Sequence, residues 1–395
     1  MRIDREEYLS RQRAFQSELR EIGCDGAIVV SRGGGTFDRH ADVMYLTGHY
    51  QSYPYLPASP PLWSGRAHAA LVISADGPAI LCVSAMEVEV DVCCDDVRHS
   101  GDFLATLIGA VRDLGLSGRV GLCGGDTLPW DLGTALFSEL QELDVMPADE
   151  LLGTLRRIKS PAELDAVRRS AQVGRQAMTA LLSAVRPGTR ESDVVAAAVE
   201  VAVASGAGLY YATCSSGPHI GSFTSQALPG YSTRVLQSGE LMRVDLVTVL
   251  DGYLCDFGRT ITVGEPTREQ AQLIDRAHQG IDAVIEALRP GRTIADAVSA
   301  GDQTLEDHGV AVDGDAEEPR IFSAYPPHWG HGLGLGWERP WLVGDEEMEI
   351  QPGMVIAVER ALTSKGIGVA LAEQNVIVTS SGAELLTAGP EGPWT

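Results

Sequence analysis

The stretch GELMRVDLVTVLDGYLCDFGRT, residues 239–260, constrains the fold more than any other part of the chain. It is dense in apolar and β-branched residues, which suit a half-buried pleated surface. Near its middle stands Asp251-Gly252, a strong signal for a two-residue hairpin, because a type I′ turn needs positive φ at both central positions. A turn there pairs Leu250 with Tyr253, Val249 with Leu254, Thr248 with Cys255 and Val247 with Asp256. Side chains alternate between faces, so Asp245 shares a face with Val247 and becomes a diagonal neighbour of Asp256. Such neighbours lie roughly 7 Å apart at Cα and closer at their tips. Two unpaired buried carboxylates at that range repel, and one takes up a proton. A divalent cation between them removes the conflict, and hard metals favour oxygen ligands of this kind. The alternative is a solvated face that merely carries the acids, against which stands the density of Val and Leu around them.

Further ligand candidates lie downstream. The segment YPPHWGHGLGLGWERP offers His328 and His331, and its glycines Gly330, Gly332, Gly334 and Gly336 allow close backbone approach to a site. A phosphate-binding glycine loop is the rival reading, but no Lys followed by Ser or Thr supports it. The segment GMVIAVERALTSKGIGVALAEQNVIV reads as a second strand pair, interrupted by Glu359 and Glu373 as the first is by its aspartates. One imidazole and four carboxylates suit two ions of Mn, Fe, Co or Zn, with manganese the first expectation.

The rest of the chain supplies the frame. Residues 4–22 have helical periodicity. GAIVVS, DVMYLTG, HAALVIS and PAILCVS read as short strands, followed by FLATLIGAVRDLG as helix, RVGLCG as strand and WDLGTALFSELQEL as helix. This alternation predicts an α/β domain over residues 1–153. Residues 149–159 read as a hinge. A long helix then starts at Ser160, with Pro161 at its first position and Glu163 placed to close a capping box. Residues 181–206 and 284–309 form a weak internal repeat, each with a helix, Arg-Pro-Gly and an acid-capped helix. Each copy is followed by a strand pair holding two acids. Two unrelated helix-loop-helix units are the simpler alternative. A true duplication predicts a pseudo-two-fold α+β domain over residues 154–395, with acids from both halves meeting at its centre.

Composition narrows the partners. The net charge of -24 over 395 residues argues against nucleic acid and anionic membranes, which need clustered Lys and Arg. The seven cysteines are scattered without C-x-x-C spacing, so a reduced, cytoplasmic setting is expected. No signal-peptide or membrane-spanning segment is read in the sequence.

These pieces resemble a known family, the pita-bread metallohydrolases that include prolidase, aminopeptidase P, methionine aminopeptidase and creatinase. The matching stretches are LRRIKSPAELDAVRRS, SGELMRVDLVTVLDGYLCDFGRTITVG, GHGLGLG and PGMVIAVE with AEQNVIVT, covering about residues 150–380. DVMYLTG resembles the N-terminal domain of the creatinase/prolidase branch, and the spacing of 11 between Asp245 and Asp256 fits that branch. The resemblance implies a creatinase-type N-terminal domain, a pita-bread catalytic domain and a homodimer whose N-terminal domain covers the neighbouring active site. It also implies a dinuclear centre held by Asp245, Asp256, His331, Glu359 and Glu373. Creatinase itself works without this metal set, so the full set points to the metal-dependent members.

The departures concern catalysis. A histidine usual in the loop before the first strand pair is replaced near Thr224, with His219 displaced from it. The family's HGxGLxxHE becomes HGLGLGWERP, one residue shorter, with Trp337 beside Glu338 where a histidine belongs. Leu371 stands where an arginine is frequent.

The expected activity is metal-dependent hydrolysis of a peptide or amide C–N bond in a short peptide or small molecule, nearest to that of Xaa-Pro peptidases. Glu359 would shuttle the proton, as the family's glutamate does. His219 or His328 would stabilise the oxyanion. Tyr211, His219, His328, Trp337 and Glu338 are the candidate substrate contacts. Tyr210 and Trp329 join the candidate pocket walls, although aromatic residues more often serve packing. Two rivals remain: the same centre used for a non-peptide amide or amidine, lyase or oxidative reaction, and a non-enzymatic binding protein on this fold.

Overall fold

A computed structural model describes residues 3–33, 37–51, 56–65, 67–84, 92–222, 230–312, 318–322 and 328–389. Thr224 lies outside them. The chain divides into two compact units, Met1–Arg156 and Arg157–Thr395.

The first unit runs α1 (Arg5–Glu21), β1 (Gly26–Arg32), α2 (Ala41–Thr47), β2 (His68–Ser74), β3 (Ala79–Ser84), β4 (Asp96–Ser100), α3 (Phe103–Asp113), β5 (Gly118–Cys123), α4 (Trp130–Glu139) and β6 (Leu143–Pro147). Its mixed sheet has the order β4-β3-β2-β1-β5-β6. Ile28, Val30, Ala70 and Val72 pack on one face against Phe103, Leu107, Leu132 and Leu136 of α3 and α4. DVMYLTG, expected as a strand, forms helix α2, closed by Gly48 in the left-handed region at φ 73°. Short apolar runs do not reveal their period, and the glycine cap decides this one. The stretch expected as a hinge is mostly helix too, α5 (Asp149–Arg157).

The second unit holds α6 (Pro161–Ala184), α7 (Glu191–Ala204), β7 (Gly208–Ser216), β8 (Leu241–Leu250), β9 (Tyr253–Thr262), α8 (Arg268–Ala287) and α9 (Ile294–Asp307). Then come β10 (Arg320–Ile321), β11 (Gly330–Leu333), β12 (Trp337–Trp341), β13 (Val355–Ser364), β14 (Gly368–Thr379) and β15 (Gly382–Leu385). The capping box of α6 forms as the sequence predicts: Glu163 N donates to Ser160 Oγ at 3.1 Å, and Ser160 N donates to Glu163 Oε2 at 3.1 Å. The glycine-rich segment of residues 330–336 opens as strand β11.

The sheet order β12-β11-β13-β14-β9-β8-β7 shows the duplication directly. One half contributes β7, β8 and β9, the other β14, β13 and β11, and they meet where β9 pairs antiparallel with β14. The helix pair α6 and α7 backs the first half, and α8 backs β13 and β14. On β8 and β9, Thr248 and Cys255 lie against Gly174 of α6, where an added Cβ would sit 2.4 Å from the Cys255 sulfur. Alternation therefore turns Asp245 and Asp256 to the opposite face.

Candidate metal centre

The hairpin has the predicted register. Asp251 and Gly252 have φ of 53° and 87°, and Val247 pairs with Asp256 while Asp245 pairs with Gly258. The two aspartates are thus diagonal neighbours on one face. In the second half, Glu359 and Glu373 are direct partners across β13 and β14. His331 enters from β11, paired with Ala357.

All five side chains are buried and converge. The ligating atoms of Asp256, His331 and Glu373 lie within 4.8 Å of one another. His331 Nε2 is 3.7 Å from Asp256 Oδ2 and 3.9 Å from Glu359 Oε1. His331 Nδ1 is 3.1 Å from the Gly332 carbonyl, which can only accept, so the ring proton sits on Nδ1 and Nε2 offers its lone pair to the cluster. Burial pulls the His331 pKa down to about 4, which keeps the ring neutral.

The carboxylates are in strong electrostatic conflict. Burial, then the charges of Asp245 and Glu359, push Asp256 well above the usual carboxylate range. Burial, then Asp256 and Glu359, do the same to Glu373, and burial raises Asp245. Asp245 Oδ1 and Glu373 Oε2 are buried without a hydrogen-bond partner. Buried oxygens left without a partner cost about 1–3 kcal/mol or more each. Four carboxylates and one correctly turned imidazole form a donor set that divalent ions fit.

Several residues hold this cluster in place. Tyr211 donates its hydroxyl to Asp245 Oδ2 at 2.9 Å, and Trp337 donates Nε1–H to Asp256 Oδ2 at 2.6 Å. The carboxamide of Asn375 holds the Asp256 main chain on both sides, accepting from its N–H at 3.0 Å and donating to its carbonyl. Arg259, fully buried, donates to the carbonyls of Gly258 at 2.8 Å, Thr387 at 3.0 Å and Glu373, tying β9 to β14 behind the site. Burial lowers the Arg259 pKa to about 10, although Glu373 opposes the shift. Gly330, at φ 126°, is obligatory: a Cβ there would lie 1.9 Å from the Ala357 carbonyl oxygen. Leu371 fills the space over Gly258, where a Cβ would sit 2.4 Å from its Cδ2.

The other expected site residues fall in different places. His328 lies beside the cluster, with Nδ1 at 3.5 Å from Glu359 Oε1. Its Nδ1 accepts from Gly330 N at 3.1 Å, so the neutral ring carries its proton on Nε2. Burial, then the Arg360 guanidinium, lower its pKa to about 4. His219 is exposed, in the short turn Gly217–His219 after β7. Glu338 is engaged in a buried ion pair with Lys159. Trp329 donates its indole N–H to Asp302 at 2.8 Å. Tyr210 packs edge-on to Trp337 at 5.2 Å. Asn375 and Arg259 escaped sequence reasoning, because their partners lie across the β9–β14 contact between the two halves.

Residues 165–380 match the profile of metallopeptidase family M24, and residues 11–158 match the creatinase/prolidase N-terminal domain. A probable dipeptidase PepE of Mycobacterium tuberculosis is 31% identical over 246 residues, 61% of this chain and 62% of that protein. The match thus spans less than two thirds of that relative's length. An Xaa-Pro dipeptidase of Pyrococcus furiosus is 26% identical over 244 residues, 60% of this chain and 65% of that protein. Among solved structures, the dipeptidase PepE from Mycobacterium ulcerans aligns at TM-score 0.76 and 25% identity, covering 99% of this chain and 98% of that one. The Xaa-Pro dipeptidase from Bacillus anthracis aligns at TM-score 0.78 and 22% identity, with 98% and 99% covered, a likeness of fold.

Proposed function

The chain belongs to metallopeptidase family M24, and from that premise we propose that it hydrolyses the C–N bond of a dipeptide or short peptide at a dinuclear metal centre. The family implies divalent metal ions. The observation that carries the reading is the pair of orphaned buried oxygens, Asp245 Oδ1 and Glu373 Oε2, within a cluster completed by Asp256, His331 and Glu359. We assign those five residues as ligands of two ions, manganese first, with iron, cobalt or zinc as alternatives. The resemblance to family members supports a homodimer, and the free state of all seven cysteines supports a cytoplasmic setting. No helix among the described residues is long and apolar enough to cross a membrane.

Divalent ions held there supply Lewis acidity toward a carbonyl and lower the pKa of water. Glu359 takes a proton from the attacking water and returns it to the leaving nitrogen, a role supported by the position of its Oε1 3.5 Å from His328 Nδ1. His328, protonated on Nε2, donates to the oxygen on which negative charge develops. Between the two histidines, its burial next to Glu359 favours His328 over the exposed His219. Tyr210 and Tyr211 pack against each other and against Trp337 beside these groups, and the two tyrosines form the wall of the substrate space.

A second reading keeps the centre but changes the substrate to a non-peptide amide. Leu371 and Trp337, both placed where the resemblance expects polar groups, favour it. One panel decides between them: Xaa-Pro dipeptides, other dipeptides and simple amides, assayed with added manganese and with chelator. Dipeptide turnover that chelator abolishes and metal restores supports peptide hydrolysis. A fully metallated protein inert on every dipeptide but active on an amide supports the second reading.

A further inference from the structure

Trp337 stands in the motif position where a substrate-contacting histidine would be expected, yet its polar atom faces away from a substrate role. Its Nε1–H points at Asp256 Oδ2, 2.6 Å away. An indole nitrogen only donates, so the contact has one direction. The ring is held in that orientation from several sides. Tyr210 meets it edge-on at 5.2 Å and 66°, Tyr211 lies tilted at 6.0 Å and 40°, and His331 stands nearly perpendicular at 6.4 Å and 81°. Asp245 is treated in parallel, with the Tyr211 hydroxyl on its Oδ2 and its Oδ1 left without a partner. Each aspartate therefore has one oxygen fixed by an aromatic donor. The Asp256 backbone is fixed as well, by the Asn375 carboxamide. With main chain and Oδ2 both held, the carboxylate has one orientation left.

We infer that Trp337 is a positioning residue for the metal ligand Asp256, setting the metal affinity of the centre rather than contacting substrate. The inference rests on the metal-centre reading above. Partners of this kind behind a ligand set metal affinity by about 10–100-fold.

The test is calorimetric titration of manganese chloride into the chelator-treated full-length protein, for wild type, Trp337→Phe and, as a second variant, Trp337→Leu. Phenylalanine keeps an aromatic ring packed beside Tyr210 and removes only the donor. The expected result is a manganese dissociation constant about 10–100-fold weaker in Trp337→Phe, with KM unchanged once manganese saturates. Thermal melting of the chelated proteins separates this from a structural role, since loss of packing lowers the melting temperature without metal. Equal manganese affinity in wild type and both variants, with KM raised instead, overturns the inference and makes Trp337 a substrate wall. Absence of manganese binding by the wild type overturns the metal-centre reading itself, and this inference with it.

Discussion

Glu359 on β13 and Glu373 on β14 are direct cross-strand partners, whereas Asp245 and Asp256 on β8 and β9 are diagonal ones. The pseudo-two-fold therefore relates the strand pairs but not the pairing of their acids. Directly opposed residues come closer than diagonal ones, and like charges so placed destabilise a sheet. Burial, then the charges of Asp256 and Glu359, raise the Glu373 pKa, so the glutamate pair adds to the conflict that a cation would relieve.

Glu359 carries the proton in this account, so Glu359→Gln is expected to lower kcat by about 10²–10⁴-fold. Because Glu359 is also assigned as a ligand, metal content must be measured in the same sample. Full turnover in a variant that still holds its metal would remove Glu359 from the proton path.

Asp256→Asn separates the stability of the metal-free and metal-loaded proteins. The folded-state pKa of Asp256 is raised, chiefly by burial. Its contribution to metal-free stability is therefore fully present below the unfolded carboxylate value of about 4 and is lost as pH rises toward the folded value. Asparagine carries no such dependence. Under chelator, the variant is expected to melt higher than wild type by a few degrees, for about 1 kcal/mol, with the gap widening from pH 4 toward neutrality. With metal added the order reverses, because the wild type gains binding free energy that the variant has lost. A variant that melts lower under both conditions contradicts the electrostatic account.

The two histidines are expected to differ. His328→Ala should lower kcat by about 100-fold through loss of the oxyanion donor. His219→Ala, at an exposed turn, should stay within about twofold of wild type. Steady-state kinetics at saturating metal check both, and the opposite ranking would return the oxyanion role to His219.

The Lys159–Glu338 pair is nearly closed to solvent, with side-chain exposures of 2% and 8%. Breaking such a pair leaves an uncompensated buried charge, at about 3–5 kcal/mol. Lys159→Met is expected to lower thermal stability sharply, and adding Glu338→Leu should restore most of the loss. A mild effect of the single variant would place Glu338 in another role.

The site was legible in the sequence where local rules fix register. Asp251-Gly252 determines the turn, the turn determines parity, and parity places Asp245 beside Asp256. The capping box at Ser160 is equally local. The sequence reading failed at DVMYLTG, whose few apolar residues suit a strand as well as helix α2. It also missed Asn375 and Arg259, which act across the β9–β14 contact between elements more than 100 residues apart. The donor role of Trp337 was hidden for a similar reason. A substitution in a motif shows what was lost, while the atom that its N–H reaches depends on how β12 lies against β11.

The dinuclear centre stands or falls on the metal content per chain of protein purified without chelator, compared with that of Asp256→Ala. About two transition-metal ions are expected in the wild type, and their loss in the variant. Little metal in the wild type, or equal metal in both proteins, would contradict the dinuclear centre.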